Sequence, residues 1–477
     1  MPRRHGFFAF AIDELIAFVG KSCFRSSTVI HHLTIIIMRG MIFLRRNGIA
    51  AEAPQRVHIY VDSTSLSLNS TGPGLTICSE IQAFLDLGCA VEFINLRRRD
   101  NLSVLRSGHF KQLQYSVIDA IGVKAPRYAR PAYWAGWPRE LTLQQMFPAR
   151  NLLLCEVKAR MQQDASAIHV FHYLNSANII PSLPMARTIW TCHDIESEYI
   201  ARCLSIDQEL DQRKPHGWEG RKLRRMAKLE REVARKCGLI LCVSLTEAKR
   251  ITQEWKMPHA AYLPTSIVNG DTPIVSNDRR KDGELRLMHV GFWGNPATYT
   301  SLEFLFTKVF PLLDHDTLSQ LTFEVAGESI ANSALTKAIH EMARPYSMVR
   351  FSGLVDDIRT TYRRNDLQVV ASTKATGRRA RVIESWALGM PVLCTTIGAG
   401  GVEHLAPGKN ILIADDPHEF ARYLRELIHA PKRLDEIAAA ARHTYEMYFS
   451  REDVASVLRK LLHLHFGLKL PVIAVSE

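Results

Sequence analysis

Short apolar segments alternate with segments of helical periodicity along most of this chain, and this alternation restricts the fold more than any other feature. The apolar run 57–61 is followed by a polar loop that contains Gly74, and then by apolar residues at helical spacing that end at Gly88. A second apolar run, 90–96, completes a strand–helix–strand unit. Because parallel strands need helical crossovers and are buried on both faces, the pattern predicts a parallel α/β sheet.

The alternation is interrupted once, so the sequence predicts two α/β halves. Residues 264–285 are rich in Pro, Gly, Asn and Asp and are typical of a linker, whereas 418–468 have the pattern of helices. At 477 residues the chain is long enough for two or three domains of roughly 150 residues. We predict a basic leader of uncertain structure (1–56), an N-terminal domain (57–270), a C-terminal domain (271–430) and a C-terminal helical tail (431–477).

Composition limits the partners and the compartment. Hydrophobic residues make up 47% of the chain, which excludes a disordered protein, and the net charge of +12 favours anionic partners such as nucleotides, phospholipid headgroups or nucleic acid. Nine cysteines occur without any C-x-x-C pair, which argues against a structural zinc site and a disulfide framework. We therefore expect a cytoplasmic protein.

Two basic stretches raise the question of a membrane surface. In the leader, the uncharged run 26–38 is shorter than the ~20 residues that span a bilayer. The leader either lies on an anionic membrane or is upstream sequence ahead of a start at Met38 or Met41. The stretch 213–236 is either a solvated helix or a surface for anionic lipid or a polyprenyl-phosphate acceptor. Nucleic acid is not an expected partner, because no basic-aromatic module accompanies this stretch.

Residues 367–396 carry the strongest chemical signal. They predict a strand, a polar loop with Gly377, a helix that begins near Arg379, and another strand. A helix N-terminus with several arginines is suited to phosphate. Arg381 and Glu384 are three residues apart and share a helix face, so Glu384 either accepts the hydroxyls of a ribose or forms a surface ion pair with Arg381.

This segment resembles the retaining glycosyltransferases of family 4. Residues 377–392 are similar to the family's G-x-R-x-K-V-x-E-A-x-A-x-G-x-P-V-V pattern, and the likeness runs from about residue 57 to about residue 449. Shorter matches occur at 190–196, 242–247, 289–291 and 351–357. The resemblance implies the GT-B fold, with two Rossmann-like doubly wound domains facing a cleft and C-terminal helices.

The resemblance also implies roles for residues on the nucleotide side. Glu384 resembles the glutamate that holds the ribose, and Arg381 stands where the family usually places a phosphate-binding lysine. Arg379 would assist it. Gly74 and Gly291 would let the backbone approach the diphosphate.

On the sugar side, His193 resembles the histidine beside the donor sugar and is our candidate catalytic residue. The alternative is a hydrogen-bonded structural histidine. His172, after the preceding predicted strand, is a weaker candidate of the same kind. Gly377 and Thr376 complete the predicted substrate loop, and Thr376 occupies the place of a sugar-binding glutamate found in many members.

The implied reaction transfers a hexosyl unit from a nucleoside-diphosphate sugar to a saccharide or polyprenyl-linked acceptor, in cell-envelope polysaccharide or glycoconjugate synthesis. We expect no cofactor and no metal, because fixed arginines and backbone amides take the place of a cation. The D-x-D sequence at Asp314 and Asp316 is interpreted as a solvated turn. The alternatives are a sugar epimerase of the same fold and a degenerate protein that binds a nucleotide sugar without transferring it.

Overall fold

The computed structural model describes most of the chain beyond residue 52. The described residues are 53–62, 72–96, 110, 112–118, 124, 143, 146–184, 187–210, 216–267, 270, 273–274, 283–331, 333–355, 357–375 and 377–471. Residues 1–54 and 55–477 form two separate units, and everything that follows concerns the second. Our two interpretations of the basic leader fall almost entirely outside the described residues.

The first half contains a parallel sheet of seven strands, in the order β3-β2-β1-β4-β5-β6-β7. The strands are β1 (Arg56–Val61), β2 (Ala90–Asn95), β3 (Gln114–Val117), β4 (Ile168–His172), β5 (Thr188–Cys192), β6 (Leu239–Cys242) and β7 (Ala260–Tyr262). The helices are α1 (Gly72–Asp86), α2 (Arg150–Gln163), α3 (Tyr173–Ala177), α4 (Glu196–Leu210), α5 (Gly217–Lys236) and α6 (Leu245–Gln253). The side chains of β4, β5 and β6 are buried throughout, as expected for central strands with helices on both faces.

The second half contains a parallel sheet of six strands, in the order β10-β9-β8-β11-β12-β13. The strands are β8 (Leu285–Val290), β9 (Leu321–Ala326), β10 (Val349–Gly353), β11 (Leu367–Val370), β12 (Val392–Cys394) and β13 (Leu412–Ile413). The helices are α7 (Pro296–Phe304), α8 (His315–Ser319), α9 (Ala334–Ala343), α10 (Ile358–Arg364), α11 (Ala380–Ala387), α12 (Pro417–Ile428), α13 (Pro431–Tyr448) and α14 (Arg451–Phe466). Each sheet reverses its strand order once, and ligands bind at such reversals in doubly wound folds.

The last helix belongs to the packing of the first half. Leu458 and Leu462 of α14 lie in the same buried cluster as Phe84 of α1. Arg451 also donates hydrogen bonds to both carboxylate oxygens of Asp86. The C-terminal helices therefore return to the N-terminal sheet, while α13 packs on α11 of the second half. The predicted domain limits at residues 270 and 430 stay predictions.

The structure changes one sequence prediction about a helix. The apolar spacing of residues 302–313 predicts a helix there. In the structure, α7 begins earlier, at Pro296, where the side chain of Asn295 accepts a hydrogen bond from the amide of Ala297. A π-helical turn, Leu305–Val309, and a 3-10 turn, Phe310–Leu312, follow it. Apolar periodicity does not reveal this start, because the helix begins with an Asn cap and a Pro at the first helical position, and neither residue is part of the apolar pattern.

No helix among the described residues is long and apolar enough to cross a membrane. The cysteines in this part of the chain are all free, and most of them are buried.

Candidate functional site

A cavity of about 400 Å³ lies between the carboxyl ends of the two sheets. Its N-terminal side is formed mainly by the loops after β4 and β5, and its C-terminal side by the loops after β8 and β11. The polar and aromatic residues that line it are Thr76, Tyr173, His193, Asp194, Glu196, Tyr199, Arg202, His289, Phe292, Asn295, Thr298, Ser372, Arg378, Arg379 and Arg381. This size and placement are those of a small-molecule site.

His193 lies on the N-terminal side of the cavity, directly after β5. Its Nε2 is 2.9 Å from Nδ1 of His172, and its ring stacks on that of Tyr173 with centroids 4.2 Å apart. Burial, helped by the proximity of His172 and Arg378, lowers the pKa of His193 well below its usual range. The histidine is therefore a neutral, oriented group at neutral pH.

Tyr173 holds an unusual backbone conformation beside His193. It is the first residue of α3 and has φ of 62°, a left-handed conformation that costs about 1–3 kcal/mol for a residue with a side chain. The chain turns here from β4 directly into α3, which places the tyrosine ring against the histidine ring. Strain of this kind is common at ligand sites.

Two carboxyl groups follow His193 on the same side of the cavity. Glu196, the first residue of α4, accepts a hydrogen bond from the amide of Leu174. Burial raises the pKa of Glu196 to about 8 despite that hydrogen bond. Asp194 approaches the other half of the molecule: a Cβ added to Gly377 would lie 2.1 Å from its Oδ1. The N-terminal side thus combines a neutral imidazole with a carboxyl group that holds its proton readily.

The C-terminal side carries three arginines at the start of α11. Arg378 donates from Nη2 to Thr265 Oγ1 at 2.5 Å and is buried. Burial lowers the pKa of Arg379, and attraction by Asp194 works in the opposite direction. Burial likewise lowers the pKa of Arg381 to about 10, so it remains charged at neutral pH. These cations lie at the N-terminal end of α11, where the helix dipole adds to their attraction for an anion.

Two glycines of the predicted site lie in close contact with side chains around them. Gly377 has φ of +66°, and Asp194 leaves no space for a side chain there, so both conformation and contact require glycine. At Gly291, a Cβ would lie 2.3 Å from Thr298 Oγ1 and 2.6 Å from Arg381 Nη1. Glycine at this position therefore lets the guanidinium of Arg381 lie against the loop after β8.

Glu384 lies one turn behind Arg381 and is only 5% exposed, so the surface ion pair that we kept as an alternative is wrong. Tyr362 donates a hydrogen bond to Glu384 Oε2 at 3.2 Å. Burial raises the pKa of Glu384 to about 7, while Arg381 and Tyr362 favour its charged form. Glu384 is not among the residues that line the cavity. Its ribose-binding role stays a prediction.

The remaining predicted residues are placed less directly. Gly74 lies in the first turn of α1, two residues before Thr76, which lines the cavity. Thr376 lies outside the described residues. Asp314 caps α8 by accepting a hydrogen bond from the amide of Thr317 at 2.7 Å, and it does not line the cavity. In the described part of the chain, no cluster of His, Cys, Asp and Glu could hold a metal ion.

Several cavity residues were not singled out from the sequence. Asp194, Glu196 and Tyr173 each follow the carboxyl end of a predicted strand, and this position was the available signal. His289 is buried in β8, donates a hydrogen bond from Nδ1 to the carbonyl of Val369 at 2.8 Å, and also lines the cavity. No sequence pattern distinguishes its role from that of a core residue.

Comparison with solved structures decides the architecture. A sucrose-phosphate synthase from Thermosynechococcus elongatus has a TM-score of 0.64 at 15% identity, covering 87% of this chain and 99% of that one. TarM gives 0.61 at 10% identity, covering 86% and 99%. WaaG, a glycosyltransferase involved in lipopolysaccharide biosynthesis, gives 0.55 at 14% identity, covering 86% and 100%. The fold is GT-B. This confirms the predicted fold class.

A family model matches a segment in the second half of the chain. Residues 286–430 match the family described as glycosyl transferases group 1. None of the curated proteins matches the sequence. The matched segment contains the three arginines, Gly291 and Glu384, whereas the histidine side of the cavity lies outside it.

Proposed function

We propose that this protein is a glycosyltransferase that moves a hexosyl unit from a nucleoside-diphosphate sugar to a saccharide or lipid-linked acceptor, with retention of configuration. The observation that carries the proposal is the pairing, across one cavity, of three arginines at a helix N-terminus with an oriented neutral histidine. The family match over 286–430 supports a glycosyltransferase. The GT-B protein HepE from Anabaena, solved in complex with UDP and glucose, has a TM-score of 0.59 at 13% identity, covering 86% of this chain and 99% of that one.

In this proposal the C-terminal side binds the nucleoside diphosphate. Arg379, Arg381 and the first amides of α11 would hold its phosphate oxygens and stabilise the charge that grows on them as the glycosidic bond breaks. Because these cations are fixed before the reaction, little reorganisation is needed at that moment. Glu384 would accept the ribose hydroxyls after a small movement of the α11 turn.

The N-terminal side would hold the sugar and the acceptor. His193 lines the cavity opposite the arginines and offers a neutral ring nitrogen to a sugar hydroxyl. Glu196, with its raised pKa, can donate or accept a hydrogen bond near neutral pH.

The decisive experiment starts with calorimetric titration of UDP, GDP, ADP and their common sugars, followed by turnover of the tightest donor. Acceptor-dependent release of free nucleoside diphosphate, with a product of unchanged anomeric configuration by NMR, is the expected result. Conversion of one nucleotide sugar into another would indicate the epimerase, and tight binding without release would indicate the degenerate protein.

We further propose that α5 brings the enzyme to an anionic acceptor or membrane surface. Basic residues that share one exposed face of α5 follow Trp218, which is 40% exposed. They are Arg221, Arg224, Lys228, Arg231 and Arg235. The opposite face, with Met226, Leu229 and Val233, is buried. A basic helical face with an aromatic residue at one end fits phosphate headgroups.

Vesicle sedimentation tests this surface. Wild type should bind vesicles that contain an anionic lipid and release them at high salt, and the triple variant Arg224→Glu, Lys228→Glu, Arg231→Glu should not bind. A matched reversal at the exposed Lys308, Lys337 and Arg344 should leave binding unchanged. Equal loss of vesicle binding in both variants would show that the net charge of the protein, and not this face of α5, determines binding.

A further inference from the structure

A buried row of three polar side chains runs from α1 to the cavity. It consists of Glu80, His172 and His193, which are 1%, 0% and 6% exposed. Nε2 of His172 lies 3.6 Å from Glu80 Oε2, and Nδ1 of the same ring lies 2.9 Å from His193 Nε2. The two ring nitrogens of His172 therefore face different neighbours. Nε2 faces the carboxyl group of Glu80, and Nδ1 faces the ring of His193, which lines the cavity.

The topology of the sheet explains this alignment. β4 and β5 are neighbouring parallel strands, and His172 pairs in register with Thr191. The hydroxyl of Thr191 lies 3.1 and 3.0 Å from the two carboxyl oxygens of Glu80 and holds that group under the strand ends. Nε2 of His172 is buried and makes no hydrogen bond within the described part of the chain. A shift of about half an ångström would bring it into hydrogen-bond range of Glu80.

Two neutral imidazoles that share a hydrogen bond must be opposite in role, since one donates and the other accepts. If Glu80 carries a proton and donates it to His172 Nε2, then His172 Nδ1 donates to His193 Nε2. The proton of His193 then lies on its Nδ1. If Glu80 is ionised, every hydrogen bond in the row reverses, and the proton of His193 lies on Nε2.

Burial selects the first arrangement. It raises the pKa of Glu80 to about 8 and lowers the pKa of His172 to about 3. At neutral pH the row therefore holds a protonated carboxyl group and two neutral rings. Nδ1 of His193, which has no hydrogen-bond partner among the described residues, is left as a donor toward an oxygen of the ligand.

We propose that Glu80 and His172 are positioning residues that fix the ring and the tautomer of His193, so that its Nδ1 presents a hydrogen-bond donor to a sugar or phosphate oxygen. This inference deepens the proposed function and rests on it only for the identity of that oxygen. The stacking of Tyr173 on His193 fixes the ring plane, and the row fixes the proton.

The tautomer can be measured without any activity. Long-range ¹H–¹⁵N spectra of the full chain labelled at histidine distinguish Nδ1–H from Nε2–H, and His193→Gln and His172→Gln assign the signals. Wild type at pH 7 should show His193 as a single Nδ1–H tautomer. Glu80→Gln should retain it, because the amide donates as the protonated acid does. Glu80→Met should give a mixture, whereas Glu452→Met, at an exposed site on α14, should change nothing.

A pH titration of wild type keeps the test valid if Glu80→Met does not fold. The His193 signal should change to the Nε2–H tautomer as pH rises through about 8, and Glu80→Gln should show no such change. Burial also raises the pKa values of Glu196 and Glu247 to about 8, so Glu80→Gln, which keeps both of these groups, is the control that separates Glu80 from them. Burial raises the pKa of Cys242 well above its usual range. A single unchanged tautomer in Glu80→Met and across the titration would overturn the proposal.

Kinetics provide the second readout. Glu80→Met and His172→Gln should lower kcat about tenfold or more with little change in donor KM, while Glu80→Gln should stay within about threefold of wild type. Equal turnover in Glu80→Met and Glu80→Gln would contradict a positioning role. If no donor supports turnover in wild type, the proposed function fails, and the NMR result still decides the role of the row.

Discussion

The two sides of the cavity differ in how charge is arranged. The C-terminal side presents fixed cations within four consecutive positions, 378–381, at one helix end. The N-terminal side presents a neutral histidine and a carboxyl group whose pKa lies near 8, and its groups come from the ends of separate strands and helices. One side is suited to a permanent negative charge, and the other to groups that exchange protons.

Because of this difference, the two halves have separate roles in the proposed reaction. A diphosphate is anionic before and after transfer, so permanently charged arginines suit it at every stage. The hydroxyl groups of a sugar and of its acceptor are neutral, and a neutral histidine or a protonated carboxyl group can donate to their oxygens at no cost in buried charge. The comparison predicts that changes on the N-terminal side affect turnover, and changes on the C-terminal side affect donor binding.

The largest effect is expected from His193→Ala. Turnover should fall about 10²- to 10⁴-fold, as for loss of a group acting near the scissile bond, while donor Kd changes only a few-fold. Initial rates and calorimetry measure the two quantities. His418→Ala, at an exposed site on α12, is the matched control. Equal loss of turnover and donor affinity would erase the distinction between the two sides.

Arg381→Gln tests the other side. The loss of this half-buried cation should raise donor Kd and lower turnover together, by about 10²- to 10³-fold in catalytic efficiency. Arg381→Lys should recover part of this loss if a point charge is enough, and little if a guanidinium fork grips two oxygens. We expect wild-type activity to survive EDTA. Full activity of Arg381→Gln, or EDTA inactivation reversed by magnesium, would contradict a charge supplied by the chain itself.

The same contrast explains what the sequence could predict. The phosphate segment is contiguous: Gly377, the arginines and Glu384 follow one strand, and a helix N-terminus needs no tertiary information to be recognised. The alternation of apolar runs likewise predicted both sheets, because a buried strand is recognised from a short local run of apolar residues. Fold class and the C-terminal side of the site were therefore accessible.

The N-terminal side was not accessible in the same way. Glu80 and His172 are 92 positions apart in the chain, and only the packing of α1 under β4 and β5 brings them to 3.6 Å. Asp194 contacts Gly377 of the other half for the same reason. Sequence reasoning named His193 through a resemblance, but its partners depend on strand register and on how the two sheets meet.

A smaller effect is expected from Glu384→Ala. If the carboxylate binds a ribose, donor Kd should rise about 10- to 150-fold, which corresponds to the 1.5–3 kcal/mol of a hydrogen bond to a charged group. Turnover at saturating donor should change little. Glu419→Ala on α12 is the control, and circular dichroism checks that the fold is retained. Unchanged affinity would leave Glu384 as a partner of Tyr362 alone.

The smallest effect concerns stability and pH, and it separates the two sides by their titration ranges. Glu80 and Glu196 have pKa values raised by burial to about 8, and Glu384 to about 7, from an ordinary value of 4.5. The native state thus binds protons that the unfolded state has released, so the contribution of each of these carboxyl groups to stability falls as pH rises, by at most about 1.4 kcal/mol per pH unit. From pH 4.5 to 7 both sides contribute to this fall.

Between pH 7 and 8 only the N-terminal side still contributes, because Glu384 is by then mostly ionised in the native state. Urea unfolding from pH 5 to 8.5 should therefore show a shallower dependence in Glu384→Gln below pH 7 and in Glu80→Gln up to pH 8, with Glu452→Gln matching wild type. If Glu80→Gln kept the wild-type slope between pH 7 and 8, the carboxyl group of Glu80 would already be ionised at neutral pH. The hydrogen bonds of the row would then run from His193 toward Glu80.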